Sequence, residues 1–298
     1  MPMETMSCRL IDIHTHGLDG VSSRSSSPDD FRALAALHAS GGTASFLPTL
    51  YPAPFADMRR SLAACAEAMR VPNPDGSEII GMNIEGPFLN RKFAGALDPA
   101  CFMPPSAENL ARLLDGFENL VRIITIAPEL PGALAVIERC AELGIRAGMG
   151  HSGATYAEAA EGKQAGASGI THLFNAMRGI HHREPGLAGF GLTDPDVYVE
   201  IIADGIHVTP WMLNLVFRLK PLERIIAVSD SVEQGANSDV GLPPKDSSGR
   251  LMGGAGLLGN SIEKLLAAGI AGIGEIGKRT ARAIACDNPR RYLGIGGI

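Results

Sequence analysis

Residues 11–17 read IDIHTHG, in which apolar residues lead into two histidines one position apart and a glycine follows. Successive side chains of an extended strand point to opposite faces, so His14 and His16 lie on one face and Thr15 on the other. Gly17 permits a sharp turn directly after the pair. The stretch predicts a buried strand that ends at the rim of a sheet, although an isolated His-x-His also occurs in surface hairpins.

The whole chain has the composition of a globular protein with a sizeable core. It has 298 residues, 45% of them hydrophobic, which is enough for one large α/β domain or two smaller ones. The formal net charge is −6 and the basic residues are scattered, which argues against a nucleic-acid partner. Apolar runs are too short to span a membrane and the N-terminus lacks a signal-peptide core, so we expect a cytoplasmic protein without membrane contact.

The five cysteines are odd in number, far apart and without a C-x-x-C pair. This pattern predicts reduced thiols rather than a disulfide framework or a thiolate metal site.

Apolar runs of strand length alternate along the chain with amphipathic segments of helical period. The predicted strands are 9–16, 43–50, 78–85, 121–127, 145–151, 169–174, 198–204 and 224–229. The clearest predicted helices are 28–40, 55–69, 131–144 and 155–166. Eight buried parallel strands with intervening helices indicate an α/β fold of the (β/α)8 TIM-barrel type, with an open doubly wound sheet as the alternative.

One segment stands out as irregular. Residues 232–258 are rich in Gly, Ser and Pro and are long for a connection between a strand and a helix. We therefore expect this segment to be a mobile lid or partly disordered.

Titratable side chains follow the predicted strands at their carboxyl-terminal ends. In chain order they are His14, His16, Glu85, His151, His172, Asp204, His207 and Asp230. Active sites of TIM barrels are built at this face. A single buried histidine is usually a satisfied core residue, but this many buried ionisable groups are costly unless they are paired or bind a metal.

The donor set points to a metal and to hydrolysis. Four histidines and two carboxylates offer nitrogen and oxygen without thiolate, which suits zinc or a neighbouring divalent metal in an open catalytic site. Such an ion lowers the pKa of its water from about 15.7 to about 7. Asp230 is then the candidate general acid and base, and His207 the candidate donor to the carbonyl oxygen under attack.

Several ordered motifs resemble the amidohydrolase superfamily and, within it, the N-acetylglucosamine-6-phosphate deacetylase family. They are DIHTHG, NIEGPF, GHSGA, THLFNAM, HHREPGLAG, IIADGIHV and SD, spread over residues 9–231. The resemblance implies a metal-dependent hydrolase that removes acetate from N-acetylglucosamine 6-phosphate and leaves glucosamine 6-phosphate.

The same resemblance implies a set of metal ligands. They are Glu85, His151 and His172 for a principal ion, and His14 and His16, with Glu85 bridging and Asp230 nearby, for a second. It implies one or two divalent ions, with zinc expected and iron, manganese or cobalt as alternatives.

On the substrate side, the resemblance implies a sugar pocket that includes Ala96, Asn175, Ala176 and His207. Arg183 in HHREPG matches an arginine that grips the substrate phosphate in the neighbouring subunit, which implies a homodimer. A guanidinium fork is well matched to phosphate, although a solvated loop charge is the alternative interpretation.

The chain also departs from the family pattern. Leu97 stands where the family usually has a histidine that contacts substrate, and the segment after the eighth strand is only loosely similar. We expect a single barrel domain over residues 1–298 that lacks most or all of the family's small β-sandwich. These departures keep open an amidohydrolase for another N-acyl sugar or a cyclic amide, and a barrel that binds a sugar phosphate without catalysis.

Overall fold

A computed structural model describes residues 9–234, 242–268 and 277–296, and these residues form the barrel that the sequence predicts. Eight parallel strands follow one another around the sheet in chain order. They are β1 (Leu10–Thr15), β2 (Thr43–Leu50), β3 (Met82–Glu85), β4 (Val121–Ile126), β5 (Arg146–Met149), β6 (Gly169–Ile170), β7 (Tyr198–Ile202) and β8 (Ile225–Val228). This order has no reversal point, so the alternative of a doubly wound sheet is wrong.

The first and last strands meet at their carboxyl-terminal ends. The Asp230 backbone N–H donates to the His14 carbonyl oxygen at 2.9 Å, and the His16 N–H donates to the Ser231 carbonyl oxygen at 2.7 Å. These bonds nearly close the sheet into a barrel. They also fix three of the predicted site residues to one seam.

Helices surround the barrel. They are α1 (Pro28–Ser40), α2 (Phe55–Ala68), α3 (Ala107–Leu114), α4 (Ala133–Glu142), α5 (Tyr156–Gln164), α6 (Gly186–Thr193), α7 (Pro210–Leu219), α8 (Leu258–Ala268), α9 (Lys278–Arg282) and α10 (Asn288–Leu293). The sequence sets where some of them begin: the Ser27 side chain caps α1, and Thr155 forms a capping box with Glu158 at α5. The helix predicted over 28–40 is confirmed without change.

Side chains from strands on different sides of the barrel meet in one buried cluster. The cluster includes Leu47 of β2, Ile123 of β4, Ile202 of β7 and Val228 of β8, and Tyr292 of α10 packs with them. Strands so far apart in the sheet order can share a cluster only inside the barrel. The lumen is therefore a packed core, and the polar site lies at the strands' carboxyl-terminal ends.

Most predicted strands are one to three residues longer than the observed ones, and two others differ in a way that affects the site. The run 78–85 contains two strands, Glu78–Ile79 and Met82–Glu85, and only the second reaches the site. The run 169–174 is a strand only at Gly169–Ile170, because the backbone then turns and His172 has a φ of 28°.

The predicted irregular segment 232–258 is described in part. Residues 235–241 lie outside the described residues, and the expected lid is not tested. Farther along, Lys245 and Leu251 form an isolated antiparallel bridge.

The prediction about cysteines is partly wrong. Cys65, Cys101 and Cys140 are free, but Cys286 is bonded in a disulfide. As for membranes, none of the described helices combines the length and the apolar character needed to cross a bilayer.

Candidate metal centre and active-site pocket

The two histidines of β1 converge as their spacing predicts. Their Nε2 atoms lie 3.2 Å apart. The opposite nitrogen of each ring is anchored, because His14 Nδ1 lies 2.9 Å from Glu200 Oε2 and His16 Nδ1 lies 2.9 Å from the Thr49 carbonyl oxygen. A neutral imidazole that donates through Nδ1 leaves an electron pair on Nε2, which can bind a cation.

Glu85, at the end of β3, joins this pair to two further histidines. Its Oε1 lies 3.0 Å from His151 Nε2 and 2.8 Å from His172 Nε2. Longer distances separate the carboxylate from the first pair, 3.5 Å to His16 Nε2 and 3.6 Å to His14 Nε2. The result is two buried clusters that share one carboxylate. We call them the β1 cluster (His14, His16 and Glu85) and the β5–β6 cluster (Glu85, His151 and His172).

The donor atoms of both clusters fit a divalent ion. Two ligands that each lie 2.0–2.1 Å from a tetrahedral zinc are about 3.3 Å apart. The Nε2 atoms of His14 and His16, and those of His151 and His172, are each 3.2 Å apart. Nitrogen and oxygen donors without thiolate suit zinc, iron, manganese or cobalt. The residues present therefore fit a divalent metal centre.

The electrostatics of the centre keep its acids ionised. Burial works to raise the pKa of Glu85, but the charges of His151 and His16 and the hydrogen bonds to Glu85 hold it well below its usual value. Burial likewise opposes ionisation of Asp230, and the charge of His14 leads the interactions that lower its pKa. Two carboxylates buried together make this a place that attracts positive charge.

Asp230 follows β8 directly and lies beside the β1 cluster. Its Oδ1 is 3.1 Å from His16 Nε2 and 3.4 Å from His14 Nε2. The residue is 7% exposed and lines the pocket, so its carboxylate faces both the ligands and the space for a substrate. This is a position from which a carboxylate can exchange a proton with a reacting water.

The backbone around the site is strained. His151, His172, Ala176 and Asp230 all have a positive φ, between 28° and 49°. Such a conformation costs a residue other than glycine about 1–2 kcal/mol, and it persists where surrounding contacts over-determine it. The strain explains why these side chains leave the strand direction and turn into the pocket.

His207 is held by the carboxylate of Asp204, which lies two residues after the end of β7. Its Nδ1 lies 2.8 Å from Asp204 Oδ2, and its Nε2 lies 3.1 Å from the Met252 carbonyl oxygen. Burial works to lower the pKa of His207, but the hydrogen bond and charge of Asp204 outweigh it and raise the pKa above the usual value. Both ring nitrogens face acceptors, so each is placed to donate.

One pocket, with a volume of about 190 Å³, opens onto the centre. The residues predicted from the sequence that line it are His16, Glu85, Ala96, His151, His172, Asn175, Ala176, His207 and Asp230. The sequence did not point to Tyr51 and Gly95, which also line the pocket. The irregular segment 232–258 contributes further lining residues, namely Val232, Glu233, Gln234, Leu251, Met252 and Gly253. Leu97 also lines the pocket, so its departure from the family pattern lies where a substrate would contact it.

Among the predicted substrate-binding residues, Arg183 is the one that a single chain does not bring to the pocket. Its side chain is exposed, and its guanidinium lies 2.8 Å from His182 Nε2. In this position it is accessible to a second molecule rather than to the pocket of its own chain.

The sequence analysis did not identify two carboxylates that lie near the centre. Glu200 contacts His14 as described above, and Glu129 accepts hydrogen bonds from Asn90 Nδ2 (2.8 Å), Ser152 Oγ (2.6 Å) and the Gly153 backbone N–H (2.5 Å). The available signal was a charge within or just after an apolar strand, in YVEII and IAPE. Both carboxylates support loops or rings that carry the clusters.

Comparison with known proteins agrees with this geometry. A family model described as the amidohydrolase family matches residues 10–271. The N-acetylgalactosamine-6-phosphate deacetylase of Escherichia coli O157:H7 is 33% identical over 297 residues, which cover 97% of this chain and 78% of that protein. The N-acetylglucosamine-6-phosphate deacetylase of Vibrio furnissii is 37% identical over 209 residues, which cover 70% of this chain and 52% of that protein. The chain thus spans about half the length of this second relative.

A solved structure has the same architecture. It is a variant of the N-acetyl-D-glucosamine-6-phosphate deacetylase of Mycobacterium smegmatis, in complex with N-acetyl-D-glucosamine-6-phosphate. The TM-score is 0.88 at 30% sequence identity, and the match covers 96% of this chain and 77% of that one.

Proposed function

This chain belongs to the amidohydrolase family, and we propose that it is a metal-dependent deacetylase of an N-acetylhexosamine 6-phosphate. In that reaction water cleaves the amide bond of the 2-acetamido group and releases acetate and the amino sugar phosphate. The observation that carries the proposal is a pocket beside two buried ligand clusters that share Glu85, with the carboxylate of Asp230 next to them. Metal ligands and a proton acceptor in one pocket are what hydrolysis at a metal centre requires.

The proposed metal is zinc, with one ion at each cluster. Glu85, His151 and His172 would hold the principal ion, and His14 and His16 would hold the second with Glu85 between them. A divalent ion held there supplies Lewis-acid chemistry, which makes water a nucleophile at neutral pH.

Asp230 is proposed to move the proton. Because its pKa is lowered, it is a carboxylate at neutral pH and can accept a proton from the attacking water. Returning this proton to the amide nitrogen turns that nitrogen into a good leaving group. Its position against His14 and His16 keeps the carboxylate at the centre throughout.

His207 is proposed to stabilise negative charge on the carbonyl oxygen. Asp204 holds the ring through Nδ1, so Nε2 is the nitrogen that can face substrate. In this structure Nε2 lies against the Met252 carbonyl oxygen. Substrate therefore has to take the place of that carbonyl as the acceptor.

The sugar is proposed to lie against Ala96, Asn175 and Ala176, which line the pocket. Leu97 lines the same wall and offers no hydrogen bond, so this part of the pocket selects by shape rather than by polar contact.

We further propose a homodimer in which Arg183 reaches the phosphate in the neighbouring pocket. Two observations support this arrangement: the Arg183 side chain is exposed, and Arg183 is not among the described residues that line the pocket of its own chain. Replacing Arg183 by Met should raise the KM for a phosphorylated substrate far more than for its unphosphorylated analogue. Equal effects on both substrates would remove Arg183 from this role.

Among substrates, N-acetylglucosamine 6-phosphate is the first candidate, because a similar solved structure holds it. N-acetylgalactosamine 6-phosphate is the second candidate, because a deacetylase of that sugar matches 97% of this chain. The two sugars differ only in the configuration at C4.

The test is acetate release from each sugar phosphate by purified protein, with zinc in one sample and a chelator in the other. Zinc-dependent release from either sugar supports the proposal, and the ratio of the two kcat/KM values identifies the substrate. No release of acetate from either sugar by protein that has bound zinc would contradict it. Other N-acyl sugars and cyclic amides would then be tested.

A further inference from the structure

A buried carboxylate on β7 belongs to neither ligand cluster, yet it contacts both. Glu200 is 5% exposed, and its strand neighbours Val199 and Ile201 are completely buried apolar residues. A charge in such surroundings is costly unless specific partners compensate it. Among the described residues, neither ligand cluster takes a member from β7. The contacts of Glu200 must therefore explain why a charge lies there.

Those contacts connect the rim of the barrel at two points. Glu200 Oε2 lies 2.9 Å from His14 Nδ1, and the same oxygen accepts a hydrogen bond from the His172 backbone N–H at 3.3 Å. The Glu200 carbonyl oxygen also accepts from the Leu173 N–H at 2.8 Å. One residue thus holds a histidine ring of the β1 cluster and the backbone of the β5–β6 cluster.

For His14 the carboxylate sets the chemistry of the ring. When Nδ1 donates its proton to Glu200, the electron pair of Nε2 faces His16 and Glu85, where a metal ligand is needed. A carboxylate behind a ligating histidine also raises the basicity of that ligand. His16 has only a backbone carbonyl, that of Thr49, in the equivalent position.

For His172 the same residue fixes the backbone. The φ of His172 is 28°, in the left-handed region that residues with a side chain avoid. The consecutive N–H groups of His172 and Leu173 both donate to Glu200, one to the carboxylate and one to the carbonyl oxygen. This clamp holds the turn that sends the His172 ring toward Glu85.

We propose that Glu200 is a positioning residue that orients His14 and His172 together, and that binding of the ion at the β1 cluster depends on it most. The inference rests on the proposed metal-dependent function. The β1 cluster is the more dependent one because His14 loses its Nδ1 partner with Glu200, whereas His172 keeps the backbone bond of its neighbour Leu173.

The test measures metal binding rather than turnover. Metal-free wild type, Glu200→Leu and Glu200→Gln are titrated with zinc in competition with a chromophoric chelator, which gives a stoichiometry and two dissociation constants. The matched control is Lys220→Met, which also removes a buried charge. Lys220 Nζ donates to the Asp194 carbonyl oxygen and not to the metal centre.

In wild type we expect two zinc ions. In Glu200→Leu the more weakly bound ion should lose about 10- to 100-fold in affinity, the usual effect of removing the partner of a ligating histidine, while the tighter ion changes less than about threefold. Glu200→Gln should lose about tenfold, because an amide oxygen still accepts from His14 Nδ1 but carries no charge. This conservative variant decides the matter if Glu200→Leu does not fold.

Three results would overturn the inference. The first is wild-type affinity for both ions in the Glu200 variants. The second is an equal loss of affinity for both ions. The third is the same loss of affinity in Lys220→Met. The second and third results would each indicate general destabilisation of the protein. A wild-type protein that binds no zinc would instead overturn the proposed function, and the role of Glu200 with it.

Discussion

The two ligand clusters share Glu85 but are assembled in different ways. The β1 cluster takes His14 and His16 from one strand, where the alternation of side chains puts them on one face. The β5–β6 cluster takes His151 and His172 from two strands, and each has a positive φ. Glu85 also lies closer to the second pair, at 2.8–3.0 Å, than to the first pair, at 3.5–3.6 Å.

This difference separates side-chain orientation that follows from local strand geometry from orientation that depends on tertiary contacts. Strand geometry puts the β1 pair on one face, and contacts with Glu200 and Thr49 then orient the two rings. The β5–β6 pair needs in addition a left-handed backbone conformation at each histidine. Because we propose that the β5–β6 cluster holds the principal ion, we expect that cluster to hold its ion more tightly. The variants below test that ranking.

We expect the largest loss of metal and of turnover from a substitution of Glu85, the residue that the two clusters share. Glu85→Gln removes the charge that both share, so both ions should be lost and turnover should fall on the order of 10⁴-fold or more. Metal analysis and acetate release measure this directly. Glu118→Gln, which removes an exposed carboxylate, is the control and should behave as wild type. Retention of both ions in Glu85→Gln would show that Glu85 is not a shared ligand.

The next effect separates metal binding from proton transfer. Asp230→Asn should lower kcat by about 10²- to 10⁴-fold, because the amide cannot accept a proton from water. Both ions should remain, because the two clusters keep their own ligands. A nearly normal rate would exclude Asp230 as the proton carrier, and loss of metal would make it a ligand instead.

One substitution in each cluster tests which of the two clusters holds the principal ion. His16→Asn should release one ion and lower turnover by about tenfold, whereas His172→Asn should lower turnover at least about tenfold further. Metal stoichiometry and kcat, measured on both variants at the same zinc concentration, give the ranking. If His16→Asn were the more damaging change, the β1 cluster would hold the principal ion.

We expect the smallest effect from a substitution of Asp204, which should change the pH dependence of kcat/KM and leave metal binding unchanged. Asp204 raises the pKa of His207, so His207 keeps its second proton at pH values above the usual range and loses it as pH rises through the raised pKa. Asp204→Asn removes the strongest interactions that raise this pKa, so the opposing effect of burial counts for more and the pKa of His207 falls. The alkaline limb of kcat/KM should therefore move to lower pH.

A pH profile of kcat/KM for wild type and Asp204→Asn makes this measurement. The exposed Asp115, replaced by Asn, is the control and should leave the profile in place. An unchanged alkaline limb in Asp204→Asn would mean that protonation of His207 does not limit the reaction.

The parts of this site that the sequence predicted are those with a local cause. Continuous apolar runs revealed the eight strands, and alternation placed His14 and His16 on one face. Because the carboxyl-terminal ends of barrel strands meet at one face, the residues at those ends were also expected together.

The parts that the sequence did not reveal depend on contacts between distant segments. Met252 faces His207 from 45 positions farther along the chain, so no local pattern pairs them. Strand β6 ends early because the turn at His172 is held by Glu200 from the next strand. Glu200 itself was visible as a charge in an apolar run, but its partner His14 lies 186 positions away.

We propose that Glu85 joins two metal sites in one centre. Crystals of the zinc-loaded protein, measured on both sides of the zinc absorption edge, test it most directly because anomalous scattering locates each ion. We expect two zinc peaks flanking Glu85, one against His14 and His16 and one against His151 and His172. No zinc peak at these residues, or a single peak that does not contact Glu85, would contradict it.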